Sequence, residues 1–146
     1  MAKFLIDTNI LIYATDRKNK FYKKAKKVIG DVLEGSIKGC IAYQNLYEFI
    51  AVVTDPKRVN RPLTLKRAVA VVKKYREATN IKKVYPLETN LDNFLKLISD
   101  YKVSKQDIFD LVLIATMRDN EINGIYTTED KTFKKFNFLQ VINPCT

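Results

Sequence analysis

The sequence predicts an α/β protein, a parallel sheet with helices on both faces. Three observations carry this. Short apolar runs at Phe4–Ile6, Gly39–Ala42, Gly124–Thr127 and Leu139–Ile142 read as buried strands. Longer segments with the helical period separate them, and alternation of this kind favours parallel pairing. The chain has 146 residues, 47% of them apolar, with no repeat, linker or low-complexity tract. Residues 1–146 therefore fit one domain large enough to bury a core.

Phe4–Ile6 is the first strand, ending at Asp7, and a short helix follows at once to Thr15. Lys20–Leu33 is a second helix. Phe21, Ala25, Val28, Ile29 and Val32 share one face, and Lys23, Lys24, Lys26 and Lys27 lie mostly elsewhere. Gly35 stops it. Gly39–Ala42 is the second strand. Gln44–Thr54 is a helix with apolar residues on nearly every side, so neighbours are expected all round it; Asp55–Pro56 ends it. Lys57–Pro62 is a basic loop, expected to be the most mobile segment. Leu65–Ala78 and Thr89–Tyr101 are amphipathic helices flanking a brief strand at Lys83–Tyr85. Ser104 and Asp107 look like the start of a capped helix that runs to about Asn120. Gly124–Thr127 is a strand, Lys131–Phe136 a short helix and Leu139–Ile142 the last strand.

Composition excludes several chemistries. There is no histidine, which removes Ser-His-Asp and Cys-His catalysis and imidazole metal sites. Cys40 and Cys145 have neither zinc-site spacing nor a disulfide framework. Cys40 reads as core. No apolar run approaches the roughly 18 residues of a membrane span, and the N-terminal stretch lacks the features of a signal peptide; the expected location is the cytoplasm. The formal charge is +10, from 26 basic and 16 acidic residues, which suits a phosphate-rich partner. Basic clusters at Lys23–Lys27, Lys57–Arg61 and Lys73–Arg76 are candidate surfaces for such a partner, although each taken singly reads as a solvated face.

Against this basic background, four acids stand in apolar settings. Asp7 closes the first strand, at the sheet edge where α/β proteins bind ligands; it also suits a helix cap. Glu48 lies within Leu46–Val53, where desolvating a carboxylate is costly without a partner. Asp110 is an acid in the early turns of an otherwise apolar segment, Ile108–Met117. The helix dipole favours an anion there, but Ser104 and Asp107 already supply ordinary capping. Asp130 follows the Gly124–Thr127 strand, and its neighbour Glu129 cannot be told from it by pattern. Carboxylates crowded on one rim repel by several kcal/mol unless a cation intervenes. Oxygen ligands select Mg²⁺ or Mn²⁺, and such an ion can drive phosphodiester hydrolysis.

The segments Asp7-Thr8-Asn9-Ile10-Leu11, Gln44-Asn45-Leu46-Tyr47-Glu48-Phe49, Asp110-Leu111-Val112-Leu113-Ile114-Ala115-Thr116 and Thr128-Glu129-Asp130-Lys131-Thr132-Phe133, in this order and spacing, resemble the PIN-domain ribonucleases, especially VapC-like toxins of toxin–antitoxin pairs. The resemblance spans essentially the whole chain. It implies a three-layer α/β/α sandwich around a central parallel sheet. It implies that Asp7, Glu48, Asp110 and Asp130 are the catalytic acids and hold one or two Mg²⁺ or Mn²⁺ ions. Asp107 matches a further acid of some members, though it reads better as a cap. Asn9 and Thr128 match small polar positions that support the site. The implied reaction is cleavage of RNA by metal-activated water, in a homodimer inhibited by a small antitoxin protein. A non-catalytic RNA-binding module and a DNA-cleaving flap-type nuclease are the alternatives. The intact acid set opposes the first, and a chain too short for a helical clamp opposes the second.

Overall fold

The computed structural model describes residues 2–146. Strand β1 (Lys3–Ile6) leads directly into helix α1 (Thr8–Tyr13), followed by α2 (Tyr22–Glu34), β2 (Lys38–Ala42) and α3 (Tyr43–Val53). Then come α4 (Leu65–Glu77), β3 (Ile81–Val84), α5 (Asn90–Asp100) and α6 (Ile108–Asp119), the last entered through a 3₁₀ turn at Lys105–Asp107. Strand β4 (Gly124–Tyr126), the single-turn α7 (Asp130–Phe133) and β5 (Gln140–Ile142) complete the chain. All strands pair in parallel, in the order β3-β2-β1-β4-β5.

Side chains alternate across this sheet, and both faces are covered. Leu5, Cys40, Ala42, Val84 and Ile125 pack with Leu97 of α5, Leu111 and Ile114 of α6, and Phe133 and Phe136. Ile6, Ile41 and Ile81 pack on the opposite face with Ile10, Val28, Val32, Phe49, Val53 and Ala68, from α1 to α4. The result is the α/β/α sandwich that the sequence predicts. Gly35 ends α2 at φ +89°, a left-handed conformation that glycine adopts without steric cost. Cys40 is fully buried and is a free thiol. Among the described residues, no helix is long and apolar enough to cross a membrane.

Three expectations are revised. Helix α3 is not enclosed on all sides. It packs against α1 and α4, while Tyr43, Tyr47 and Ala51 form an open face and Tyr47 is 69% exposed. Tyrosine rings tolerate this position because they are amphipathic. Helix α7 ends at Phe133, and Lys134–Phe136 continue as a turn. The basic loop is tied down at both ends and in its middle. The Asp55 carboxylate accepts from the Lys57 N–H at 2.9 Å, Arg61 pairs with Asp16 at 2.9 Å, and the Leu63 N–H reaches the Val53 carbonyl at 2.8 Å.

The strand order also fixes where a site can form. From β1 the chain builds outward to β2 and β3 on one side, and later to β4 and β5 on the other. The crevice at the carboxyl ends of β1 and β4 is therefore the topological switch point.

Candidate active site

Asp7 follows β1 at that switch point, held by its backbone: its N–H donates to the Tyr126 carbonyl of β4 at 3.0 Å. Its carboxylate is buried and fully engaged. Oδ1 accepts from the Thr8 N–H at 2.9 Å, so Asp7 does cap α1, and from Asn45 Nδ2 at 3.4 Å. Oδ2 accepts from Thr127 Oγ1 at 2.8 Å and Asn9 Nδ2 at 3.3 Å. Asp7 thus both caps α1 and lines the site.

Glu48 arrives on α3, the helix that follows β2. Its Oε2 accepts from Thr8 Oγ1 and its Oε1 from Gln44 Nε2, both at 3.0 Å. Asn45, one turn earlier, receives the Ala42 N–H at 3.1 Å and donates to Thr8 Oγ1 at 3.1 Å. It ties the start of α3 to the start of α1. Asp110 lies half-buried in the first turn of α6, and Gln44 reaches that turn through the Phe109 carbonyl at 3.1 Å.

Asp7, Glu48 and Asp110 line one cleft of about 210 Å³, and the fourth acid in its wall is Glu129, not Asp130. The sequence expectation placed Asp130 with the other three acids; in the structure it stands outside this wall. As the first residue of α7, Asp130 turns along its own helix to Lys134 at 3.3 Å and accepts from Asn143 Nδ2 at 3.2 Å. Those bonds hold its carboxyl below the usual range. Glu129 stays in the turn before the helix, where its N–H is fixed by Thr127 Oγ1 at 3.0 Å. The neighbouring threonine is reassigned too. Thr127 supports Asp7 with its hydroxyl, whereas Thr128 contributes its backbone N–H, which donates to Asn9 Oδ1 at 3.2 Å. Asp107 is a cap. It accepts from the N–H and hydroxyl of Ser104 at 3.1 and 3.2 Å and pairs with Lys135 at 3.2 Å. It does not line the cleft.

Burial pushes the Asp7 carboxyl up to about 7; the Thr127 hydroxyl and Thr8 N–H oppose this, and the charges of Glu129 and Glu48 add to it. Asp110 is pushed up to about 6, first by burial and then by Glu129, Glu48 and Asp107. The ionised forms of Asp7 and Asp110 are thus disfavoured by burial and by the charges of Glu129 and Glu48 across one cleft. A divalent cation would relieve that repulsion. The donor set, four carboxylates and no nitrogen or sulfur ligand, fits a hard ion such as Mg²⁺ or Mn²⁺. Among the described residues, no three such side chains already stand grouped for one ion, so the fit rests on donor chemistry and mutual repulsion. The cleft also holds one base, Arg58.

A family profile described as PIN domain matches residues 4–139. The chain belongs to the PIN domain family. This PIN domain is 24% identical over 138 residues to Ribonuclease VapC48 of Mycobacterium tuberculosis, an alignment covering 94% of each chain. Its fold is similar to the crystal structure of Mycobacterium tuberculosis VapC20, described as a sarcin-ricin loop cleaving toxin. That match has a TM-score of 0.65 at 13% identity and covers 91% of this chain and 95% of the other. It is similar also to VapBC-1 from nontypeable Haemophilus influenzae, with a TM-score of 0.64 at 16% identity and 99% of each chain covered.

Proposed function

We propose that this PIN domain is a metal-dependent endoribonuclease that hydrolyses RNA phosphodiester bonds, and that it is the toxin of a VapC-like pair. The observation that carries the reading is the cleft itself. Asp7, Glu48, Asp110 and Glu129, from four separate segments, line it at the switch point of the sheet, in a chain of formal charge +10. The relative named Ribonuclease VapC48 supports RNA as the substrate class.

Asp7, Glu48, Asp110 and Glu129 would hold Mg²⁺ or Mn²⁺. Such an ion, when bound, polarises a phosphate oxygen and makes water a better source of hydroxide. The chain's own contribution is positioning. Thr127, Asn9, Asn45 and the Thr8 N–H fix both oxygens of Asp7. Thr8 and Gln44 aim the two oxygens of Glu48. Asp110 and Glu129 face them from the far side of the sheet's switch point and complete the anionic wall. Ionising Asp7 and Asp110 costs the metal-free protein free energy, so the cation and the ionised acids stabilise each other.

The domain is also proposed to act in the cytoplasm as a homodimer with a small antitoxin partner. The dimer is supported by an exposed apolar strip. Leu91, Leu95 and Ile98 lie along one face of α5, with Leu91 64% and Leu95 52% exposed. Leu87 extends it, and the Tyr85 ring lies tilted against that of Tyr43 of α3, with 5.2 Å between centroids. A strip of this kind suits a self-complementary two-fold contact. The antitoxin is supported by the VapBC structure that the fold resembles.

The test is cleavage of a mixed RNA by the purified protein. Mn²⁺-dependent cleavage that EDTA stops and that Asp7→Asn and Asp110→Asn each abolish, with folding retained, is expected. Cleavage that persists in the double variant would refute the assignment.

A further inference from the structure

The acidic cleft does not end at the carboxylates. A second cavity of about 250 Å³ lies between the end of α1, the end of α3 and the loop that follows α3. The two cavities share four wall residues, Asn9, Ile12, Val52 and Arg58, and so form one continuous groove. Arg58 stands where they meet.

Arg58 is exposed, and among the described residues it forms no ion pair, although it lines a cleft with four carboxylates. Its backbone is nonetheless fixed. The N–H groups of Arg58 and Val59 donate to the Asp55 carbonyl at 3.0 and 3.1 Å. Three residues on, Arg61, which also lines this cavity, donates through Nε to Asp16 Oδ1 at 2.9 Å. The floor beyond Arg58 is apolar, from Ile12, Val52 and Val59. Its polar wall includes Asn19, whose Oδ1 accepts from the Phe21 N–H at 2.8 Å. Among the described residues the Asn19 amide NH₂ has no partner.

We propose that this groove is the path of the RNA strand. Arg58 grips the phosphate next to the scissile one, and the second cavity takes the base of the flanking nucleotide, with Asn19 as a hydrogen-bond donor to that base. This rests on the nuclease reading and adds to it the subsite that would set sequence preference. The chemistry matches. A guanidinium suits a phosphate as a two-pronged donor. At about 250 Å³ the cavity is smaller than the roughly 300–1,000 Å³ pockets of drug-sized ligands, which suits one base rather than two. Single-stranded nucleic acid is held by this combination of backbone charge and a platform for bases.

The test is binding, measured by fluorescence anisotropy in EDTA so that turnover plays no part. The probes are a single-stranded oligouridylate and an abasic strand of the same length. Wild type is expected to prefer the base-bearing strand. Arg58→Gln should weaken both strands about tenfold and flatten the salt dependence by roughly 0.7 in the log–log slope, the share of one phosphate on a single strand. Arg58→Lys should recover part of the loss. Asn19→Ala should weaken only the base-bearing strand. Lys38→Gln removes an equal charge at the opposite edge of the sheet and should change neither by more than about twofold. Circular dichroism of each variant checks that it is folded.

Arg58→Gln binding with wild-type affinity and salt slope would overturn the phosphate grip. Asn19→Ala weakening both strands alike, or neither, would overturn the base pocket. A wild type that binds as described but never cleaves in Mn²⁺ would leave the subsite standing and refute the nuclease reading. A wild type that binds neither strand would refute the groove.

Discussion

Replacing Asp7 by asparagine should stabilise the metal-free protein at alkaline pH, even though it removes a carboxylate with four hydrogen bonds. The folded-state carboxyl is raised from 3.8 to about 7. An acid raised on folding costs nothing below its unfolded pKa. The cost grows as pH climbs from about 4 and is complete once pH passes about 7. At 1.36 kcal/mol per unit, the full cost is roughly 4 kcal/mol, and the part that develops between pH 5 and pH 8 is roughly 3 kcal/mol. Asparagine keeps the shape and keeps an oxygen for the Thr8 N–H. Its amide can donate to Thr127 Oγ1 if that hydroxyl rotates, but the Asn9 contact at 3.3 Å is lost, at about 1 kcal/mol. In EDTA the variant should therefore be close to wild type at pH 5 and more stable by about 3 kcal/mol at pH 8, which is about 10 °C for a domain of this size. Thermal melts of both proteins at pH 5, 6, 7 and 8 read this directly, because groups common to both cancel. A difference in melting temperature that stays constant across that range would refute the burial argument. Added Mn²⁺ should reverse the order at pH 8 by stabilising only the wild type.

Glu129→Gln should lower RNA cleavage at least about a hundredfold, whereas Asp130→Asn, whose side chain faces Lys134 and Asn143, should change it less than threefold; parallel kinetics on the two variants decide between neighbouring acids. Leu95→Glu places a charge in the exposed strip of α5 and should convert a dimer to the 16.9 kDa monomer in sedimentation velocity, with unchanged circular dichroism. Asn45→Ala unties α3 from α1 and leaves Thr8 and Asp7 short of a donor; it should cost about 1–3 kcal/mol in urea unfolding.

Most strands and helices were legible because each face of the sheet is buried, so apolar runs and helical periods mark them; β3 (Ile81–Val84), with two lysines at its centre, was expected two residues later. Three of the cleft's four acids could be found as well. Asp7 ends a strand, and Glu48 and Asp110 interrupt apolar helices, so each breaks a pattern. Glu129 breaks none. It sits beside Asp130 at the junction of a turn with a four-residue helix, where periodicity carries no information, and only the backbone decides which acid meets the cleft. The supporting bonds were hidden for another reason. Thr127 acts on a residue 120 positions away and Asn45 on one 38 away, and such pairs become visible only once the sheet order is known. Helix α3 was misread because tyrosine counts as apolar in a pattern, yet Tyr43 and Tyr47 leave much of their rings in water.

The central claim is that the four carboxylates of the cleft form a metal site. Calorimetric titration of Mn²⁺ into the wild type and Asp110→Asn at pH 7.5 tests it most directly. The account predicts clear binding by the wild type and loss or strong weakening in the variant. Equal binding by both, or none by either with RNA present, would contradict it.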